Sequence, residues 1–248
     1  MLISDKYEFI IATPVKTGTT SLQSLAMSWL RRDGDPHVLR LMSGHGGETT
    51  KHRMCPPHGL EHYTRYMTVR NPFTRVPSMY EWMRKWPHPS VLHNTIHDAE
   101  STGDRVSGWV AFVNRLESLR SADSYREGGQ RRQGANQPFM WTDTQIEHLC
   151  YLMGMDADGS TLPWFRESDV VTLSTEDLSN EWQMLLRMHG VEERDLASLE
   201  MPHANRSKSR LFDTADEYWR QIDMRSSQVF MSALHSDAHW FGYAEGGK

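Results

Sequence analysis

Between Thr13 and Leu22 the chain reads Thr-Pro-Val-Lys-Thr-Gly-Thr-Thr-Ser-Leu, and the run follows a short apolar segment and precedes residues at helical spacing. Where a buried strand turns into a helix, the first backbone N–H groups of the helix have no acceptor and the helix dipole is positive, so the junction attracts anions. Gly18 permits close backbone approach, Lys16 adds a point charge, and Thr19, Thr20 and Ser21 add hydroxyl donors. Thr17 lies within the same run. Composition and position both describe a phosphate cradle, against the plainer alternative of a Gly/Thr turn that caps a helix. A Walker A loop needs its lysine directly after the second glycine. Here Lys16 precedes the one glycine by two residues, which demotes a nucleoside triphosphatase.

A second constellation runs from Tyr66 to Tyr80. The segment Tyr66–Arg70 predicts a strand ending in an arginine, and Ser78 follows eight residues later near the start of a helix. An arginine can fork onto a phosphate, and Ser78 can donate from an early turn. The plainer reading is a surface arginine beside a capped helix. Asn71 predicts an N-cap with Pro72 at the first helical position. Pro77 lacks an N–H and crowds the preceding turn. The helix therefore either begins late, with Pro77 in its first turn, or kinks.

The two motifs, PxKTGTTSL after the first strand and VRNPFxRxxSxY after a later one, resemble those of the sulfotransferases that use 3′-phosphoadenosine 5′-phosphosulfate (PAPS). The likeness is to Golgi-type carbohydrate sulfotransferases and their bacterial and viral soluble relatives. It implies that the Lys16–Ser21 loop holds the 5′-phosphosulfate and that Arg70 and Ser78 hold the 3′-phosphate. Val15 stands where the family usually has proline, and Pro77 where it has an aliphatic residue. Weaker likenesses at Gln137-Pro138, Leu173–Leu178, His203–Ser207 and Phe241–Tyr243 spread the resemblance over nearly the whole chain. On the residues alone, Leu173–Leu178 is a strand entering a helix with Ser174 ahead of Asp177 in a cap-like arrangement. The polar His203–Ser207 loop reads as a flap over the nucleotide, with Asn205 and Ser207 as donors.

What the resemblance implies is transfer of a sulfuryl group from PAPS to a hydroxyl acceptor, with a carbohydrate the expected class and adenosine 3′,5′-bisphosphate the product. Such a transfer needs a group to stabilise the departing phosphate, which falls to Lys16, and a base for the acceptor proton. Eight of the thirteen histidines lie between His37 and His97, so their number selects none. His45 follows the expected second strand on a glycine-rich loop at the carboxyl end of the sheet, where open α/β folds gather ligands. Its imidazole, with an unperturbed pKa of about 6.5, suits a base at neutral pH. Glu48 and His52 are the alternatives. No metal is expected, and His58 and His62, although four apart, follow Pro56-Pro57 and lack a nearby third ligand. The rivals are an ATP-dependent P-loop-like phosphotransferase and a non-catalytic nucleotide-binding protein on the same fold.

The elements that must position these residues follow an α/β pattern, and the expected fold is P-loop-like: three layers with a central, mainly parallel β-sheet flanked by helices. Strands are predicted at Tyr7–Thr13, Val38–Met42, Tyr66–Arg70 and Val170–Leu173. Helices are predicted after Gly18, after Asn71, within Glu100–Gly134 around Trp109, Phe112, Val113 and Leu116, through Trp182, Leu185, Leu186 and His189, and over Asp213–Leu234. Trp109 is expected in the core, while Trp86 and Trp141 could line an acceptor cleft. The expectation for domains is one, spanning 1–248.

With 38% hydrophobic and 24% charged residues the chain has material for a sizeable core, which excludes disordered and fibrous classes. A net charge of −5 disfavours a nucleic-acid partner. Basic residues still cluster locally, at Lys51–Arg53, at Arg65, Arg70 and Arg75, at Arg131-Arg132, and at Arg206, Lys208 and Arg210. Cys55 and Cys150 have no paired spacing, which argues against a disulfide framework or a cysteine-built zinc site. No apolar run approaches the roughly 20 residues of a membrane span. The first residues lack a signal-peptide layout, so the expectation is a cytoplasmic protein with no membrane partner.

Overall fold

In the computed structural model the described residues are 2–14, 16–33, 40–41, 59–60, 62–85, 90–121, 144–145, 170–192, 196, 210–223 and 225–243. Their elements, in chain order, are β1 (Leu2–Ser4), β2 (Phe9–Ala12), α1 (Thr19–Asp33), β3 (Arg40–Leu41), β4 (Thr64–Val69), α2 (Pro72–Met83), α3 (Val91–Thr102), α4 (Arg105–Ser121), β5 (Val170–Ser174), α5 (Leu178–Met188), α6 (Ala215–Trp219) and α7 (Gln228–Trp240). They fall into two compact units, each assembled from two stretches of chain. The first comprises Met1–Arg70 and Glu147–Asn205, the second Asn71–Ile146 and Arg206–Lys248. No described helix is long and apolar enough to cross a membrane.

The first unit is α/β, an open sheet with flanking helices. Among the described residues the sheet has five strands in the order β3-β1-β2-β4-β5. β2 pairs parallel with β4, and β4 with β5. β1 runs antiparallel to both β2 and β3, so four of the five strands share one direction. The Phe-Ile-Ile-Ala run of β2 is buried throughout, as a continuous apolar strand inside a parallel sheet should be. Strand alternation and register put Phe9, Ile11, Tyr66 and Leu173 on one face. That face shares a core with Leu22, Leu25, Ala26 and Trp29 of α1 and with Leu178, Trp182, Leu185 and Leu186 of α5. Ile10 and Met67, on the other face, are buried as well.

The stripe through Trp182, Leu185 and Leu186 makes α5, which ends at His189 and turns at Gly190 with φ +79°. Nε2 of His189 lies 2.9 Å from the Tyr66 hydroxyl, and its ring packs on Phe9 and Tyr7. Burial pushes the His189 pKa down, against an opposing hydrogen bond with the Tyr7 backbone, and pushes that of Tyr66 up. Ser174 does not cap this helix: its hydroxyl donates to Glu176, and Asp177 accepts from the Asn180 amide instead.

In the second unit Asn71 caps α2 as the sequence predicts, its side chain accepting from the Phe73 N–H at 2.9 Å with Pro72 at the first helical position. The helix does not begin late, for Pro77 is its sixth residue. A proline there leaves the carbonyl four residues earlier without its helical donor. That carbonyl belongs to Phe73, and the indole N–H of Trp219 donates to it at 2.8 Å. Trp109, as expected, is core, packed with Tyr80, Phe112, Tyr218 and Leu116. Glu81 is buried, accepting from the Tyr218 hydroxyl at 2.5 Å and the Leu211 N–H at 2.6 Å, and paired with Arg105 at 3.2 Å. The Glu117 carboxylate of α4 accepts from the N–H groups of Val229 and Phe230 at the start of α7.

Several sequence expectations change here. Asp213–Leu234 is not one helical face: α6 and α7 are separate, and Val229 is exposed while Phe230 and Leu234 are buried. β1 and α3 were not predicted. Of the local basic cluster Arg65, Arg70 and Arg75, the side chains of Arg65 and Arg75 are buried. Trp86, Trp141, Cys55, Cys150, His58, Gln137, Pro138 and His203 lie outside the described residues.

Two outcomes follow. Trp219→Phe should cost about 1–3 kcal/mol, the penalty for stranding a buried carbonyl, measured by denaturant unfolding. Adding Pro77→Ala should return part of that loss, because residue 77 then donates to Phe73 itself; strictly additive losses would remove the link. The second outcome concerns pH. The folded pKa of His189 lies below the unfolded value, so its contribution is complete above about 6.5 and is lost as pH falls through the lowered value. The melting temperature of His189→Gln should therefore fall less steeply than that of the wild type between roughly pH 7 and roughly pH 5, and equal slopes would acquit His189.

Candidate functional site

The chain leaves β2 at Thr13 and Pro14, both buried, and must reverse within a few residues to start α1. The reversal is closed by the Thr17 N–H, which donates to the Pro14 carbonyl at 3.2 Å. Two residues take left-handed backbone, Lys16 at φ +66° and Gly18 at φ +78°. Glycine adopts that region freely, whereas a lysine there is strained and persists only where its surroundings hold it.

The holding groups are identifiable. Thr17 is fully buried, and its hydroxyl donates to the Pro14 carbonyl at 2.7 Å. With that proton used, the 2.7 Å contact between the Thr17 and Thr68 hydroxyls must be a donation from Thr68. Arg70, directly after β4, donates from Nη1 to the Lys16 carbonyl at 3.3 Å. After β5, the Thr175 N–H and hydroxyl both donate to the Val69 carbonyl, at 2.7 and 2.6 Å. This seats Thr175 against the loop: a Cβ on Gly18 would lie 3.0 Å from the Thr175 methyl and 3.3 Å from Leu178 Cδ2. Close backbone approach is therefore a second reason for glycine at position 18.

α1 then opens with the Leu22 N–H on the Gly18 carbonyl at 2.9 Å. The N–H groups of Thr19, Thr20 and Ser21 precede that bond and have no acceptor inside the helix. Thr19 is 8% exposed, and its buried hydroxyl oxygen has no hydrogen-bond partner. A buried polar atom left so costs free energy until an acceptor or donor reaches it. Thr20 is exposed and Ser21 half-buried. The strand ends that meet here belong to the parallel set β2, β4 and β5, the edge at which open α/β sheets bind ligands. A lysine, an arginine, helix N–H groups and an unsatisfied hydroxyl at one strand edge can bind an anion.

The first unit thus brings together Lys16, Thr17, Gly18, Thr19 and Arg70 from the sequence-predicted set. Ser78 lies in α2 of the second unit, half-buried, one residue past Pro77. His45, Glu48, His52, Asn205 and Ser207 lie outside the described residues. Thr68 and Thr175 were missed by sequence reasoning. Thr68 is one of three hydroxyl-bearing residues in β4, and only the β2–β4 pairing, which brings Thr17 to it, shows what it faces. Comparison of the chain with protein-family models, with curated proteins and with solved structures returns no match.

Gly18→Ala should destabilise the fold by at least about 1–2 kcal/mol, the cost of left-handed backbone for an L-residue, with more from the Thr175 methyl. In urea unfolding, Thr175→Ser should recover the steric part and leave the backbone part. A neutral Gly18→Ala would contradict this loop geometry.

Proposed function

We propose that the chain is a PAPS-dependent sulfotransferase, a transferase that moves a sulfuryl group to a hydroxyl acceptor, with a carbohydrate as the expected acceptor class. One observation carries the reading: the PxKTGTTSL segment forms a strained, braced loop at the head of α1 with Arg70 hydrogen-bonded to its lysine. The open, mainly parallel sheet with flanking helices supports the reading, and the three-layer, P-loop-like fold is what the sequence resemblance implies.

In this reading the helix N–H groups, Thr19, Thr20 and Ser21 receive the 5′-phosphosulfate, while Arg70, and on the resemblance Ser78, receive the 3′-phosphate. The acceptor oxygen forms a bond to sulfur as the bond from sulfur to the 5′-phosphate oxygen breaks. The acceptor proton passes to the base, for which His45 is the sequence assignment. Lys16 neutralises the charge left on adenosine 3′,5′-bisphosphate, a positioning and electrostatic contribution of the kind that dominates group transfer between oxygens. On the resemblance, Asn205 and Ser207 are assigned as further donors to the nucleotide. Thr17 serves by holding the loop, since its hydroxyl is already engaged.

Thermal unfolding with adenosine 3′,5′-bisphosphate, ADP or ATP with magnesium tests the reading. A ligand at about 100 times its dissociation constant adds about 2.7 kcal/mol, or roughly 5–10 °C at this chain length. Stabilisation by the 3′,5′-bisphosphate alone is expected; stabilisation by ATP instead would favour a phosphotransferase. Lys16→Ala should lower turnover more than nucleotide affinity. Arg70→Ala should weaken the 3′-phosphorylated nucleotide and spare one without that phosphate, and an equal effect on both would end its assignment.

A further inference from the structure

α3 carries two histidines one helical turn apart, and we propose that His93 and His97 form a binding site for a divalent transition-metal cation of the copper or nickel class. The inference does not depend on the sulfotransferase reading. Their ring centroids are 4.2 Å apart, with the planes inclined at 44°. Nδ1 of His93 lies 3.2 Å from the Met83 carbonyl, and Nε2 of His97 lies 3.2 Å from the Arg84 carbonyl. A carbonyl oxygen only accepts, so each contacting nitrogen carries the ring proton. In the neutral rings the opposite nitrogens, Nε2 of His93 and Nδ1 of His97, then hold lone pairs.

This is the outer-shell pattern of metal-ligating histidines, in which one ring N–H is tied to a carbonyl so that tautomer and orientation are fixed for the other nitrogen. Both carbonyls belong to the end of α2, Met83 as its last residue and Arg84 as its C-cap. The rings are thus held between two helices before any cation arrives. His93 is half-buried and His97 exposed, which leaves the pair accessible from solvent.

The ring spacing selects the metal class. With a bond from nitrogen to metal of about 2.0–2.1 Å, a shared ion sits about 3.2 Å from each ring centre. Rings 4.2 Å apart then subtend about 80° at the ion, near the cis angle of square-planar or octahedral complexes and well short of tetrahedral. Imidazole donors in tetragonal geometry suit copper(II) and nickel(II), and copper(II) heads the divalent affinity order. Among the described residues no group of three His, Cys, Asp or Glu could hold an ion. Within the described residues the two imidazoles are therefore the protein ligands, and the exposure of His97 leaves them open to solvent.

The test is calorimetric titration of the full chain with copper(II), nickel(II) and zinc(II) chlorides, in the wild type, His97→Ala and His93→Gln. His97 is exposed, so its replacement leaves folding intact, and His93→Gln keeps an N–H donor for the Met83 carbonyl; circular dichroism checks both. The wild type should take up one copper equivalent that each variant loses or binds at least about tenfold more weakly, the lower end of what losing even an outer-shell partner costs. Electron paramagnetic resonance of that equivalent should show two nitrogen ligands in the wild type and one in each variant. Unchanged stoichiometry and affinity in either variant would overturn the pair, and tighter binding of zinc than of copper would overturn the geometry.

Discussion

The parallel pairing of β2 with β4 is the constraint from which the first unit's loop takes its shape. Ala12 stands opposite Met67, so the chain leaving β2 runs beside the last residues of β4. Thr68 shares the face of Phe9, Ile11 and Tyr66, the face on which α1 packs, and Thr17 meets it at the foot of that helix. Val69 offers its carbonyl to Thr175, which returns from β5. Shifting the pairing by one residue would turn Thr68 to the opposite face and Arg65 to this one. The hydroxyl bridge would be lost together with the core, so the same register that buries Phe9 and Tyr66 also sets the turn around Lys16.

The second unit depends on exchanges of a similar kind, in which one element supplies what another cannot make for itself. α2 runs through Pro77 because Trp219, distant in sequence, donates to the carbonyl that the proline leaves without a helical partner. α7 begins with two N–H groups satisfied by Glu117 of α4 rather than by its own N-cap, since Ser227 makes no side-chain cap. Glu81 ties α2 to α4, to the Leu211 backbone and to α6 through an arginine, an N–H and a phenol. Burial, together with the hydrogen bond to Glu81 and its charge, drives the Tyr218 phenol well above its ordinary pKa. A buried carboxylate needs such a set of donors to offset its desolvation, and the set fixes four segments at one point.

What the sequence disclosed was what is local. The β-prone runs of β2, β4 and β5, the Asn71-Pro72 start of α2 and the apolar stripe of α5 each carry their signal within a few residues. β1 has only three residues and exists because β2 and β3 pair with it on either side. α3 buries just Leu92 and Ile96, too narrow a stripe to announce a helix. Val229 sits at the spacing of Tyr218 and Ile222 only if the helix is unbroken, and the turn after Trp219 resets the phase. At the candidate site the lysine, glycine and hydroxyl types were legible because an anion cradle needs them in one short run. Thr68 and Thr175 were not, because their roles exist only across strand pairings.

Composition also overstates what such a cradle can offer, and the geometry corrects it. Of the hydroxyls gathered at these strand ends, those of Thr17, Thr68 and Thr175 are engaged within the frame. Their bonds hold Lys16 in a backbone region a lysine does not adopt unaided. Thr19 is the exception, a hydroxyl buried at the mouth of the helix with its bonding unmet. Donors fixed in advance by a rigid frame bind without losing entropy to be ordered, so a few of them outweigh a larger number of mobile ones. What the loop can offer an anion therefore rests less on how many hydroxyls it contains than on how firmly Thr68 and Arg70 hold its one turn.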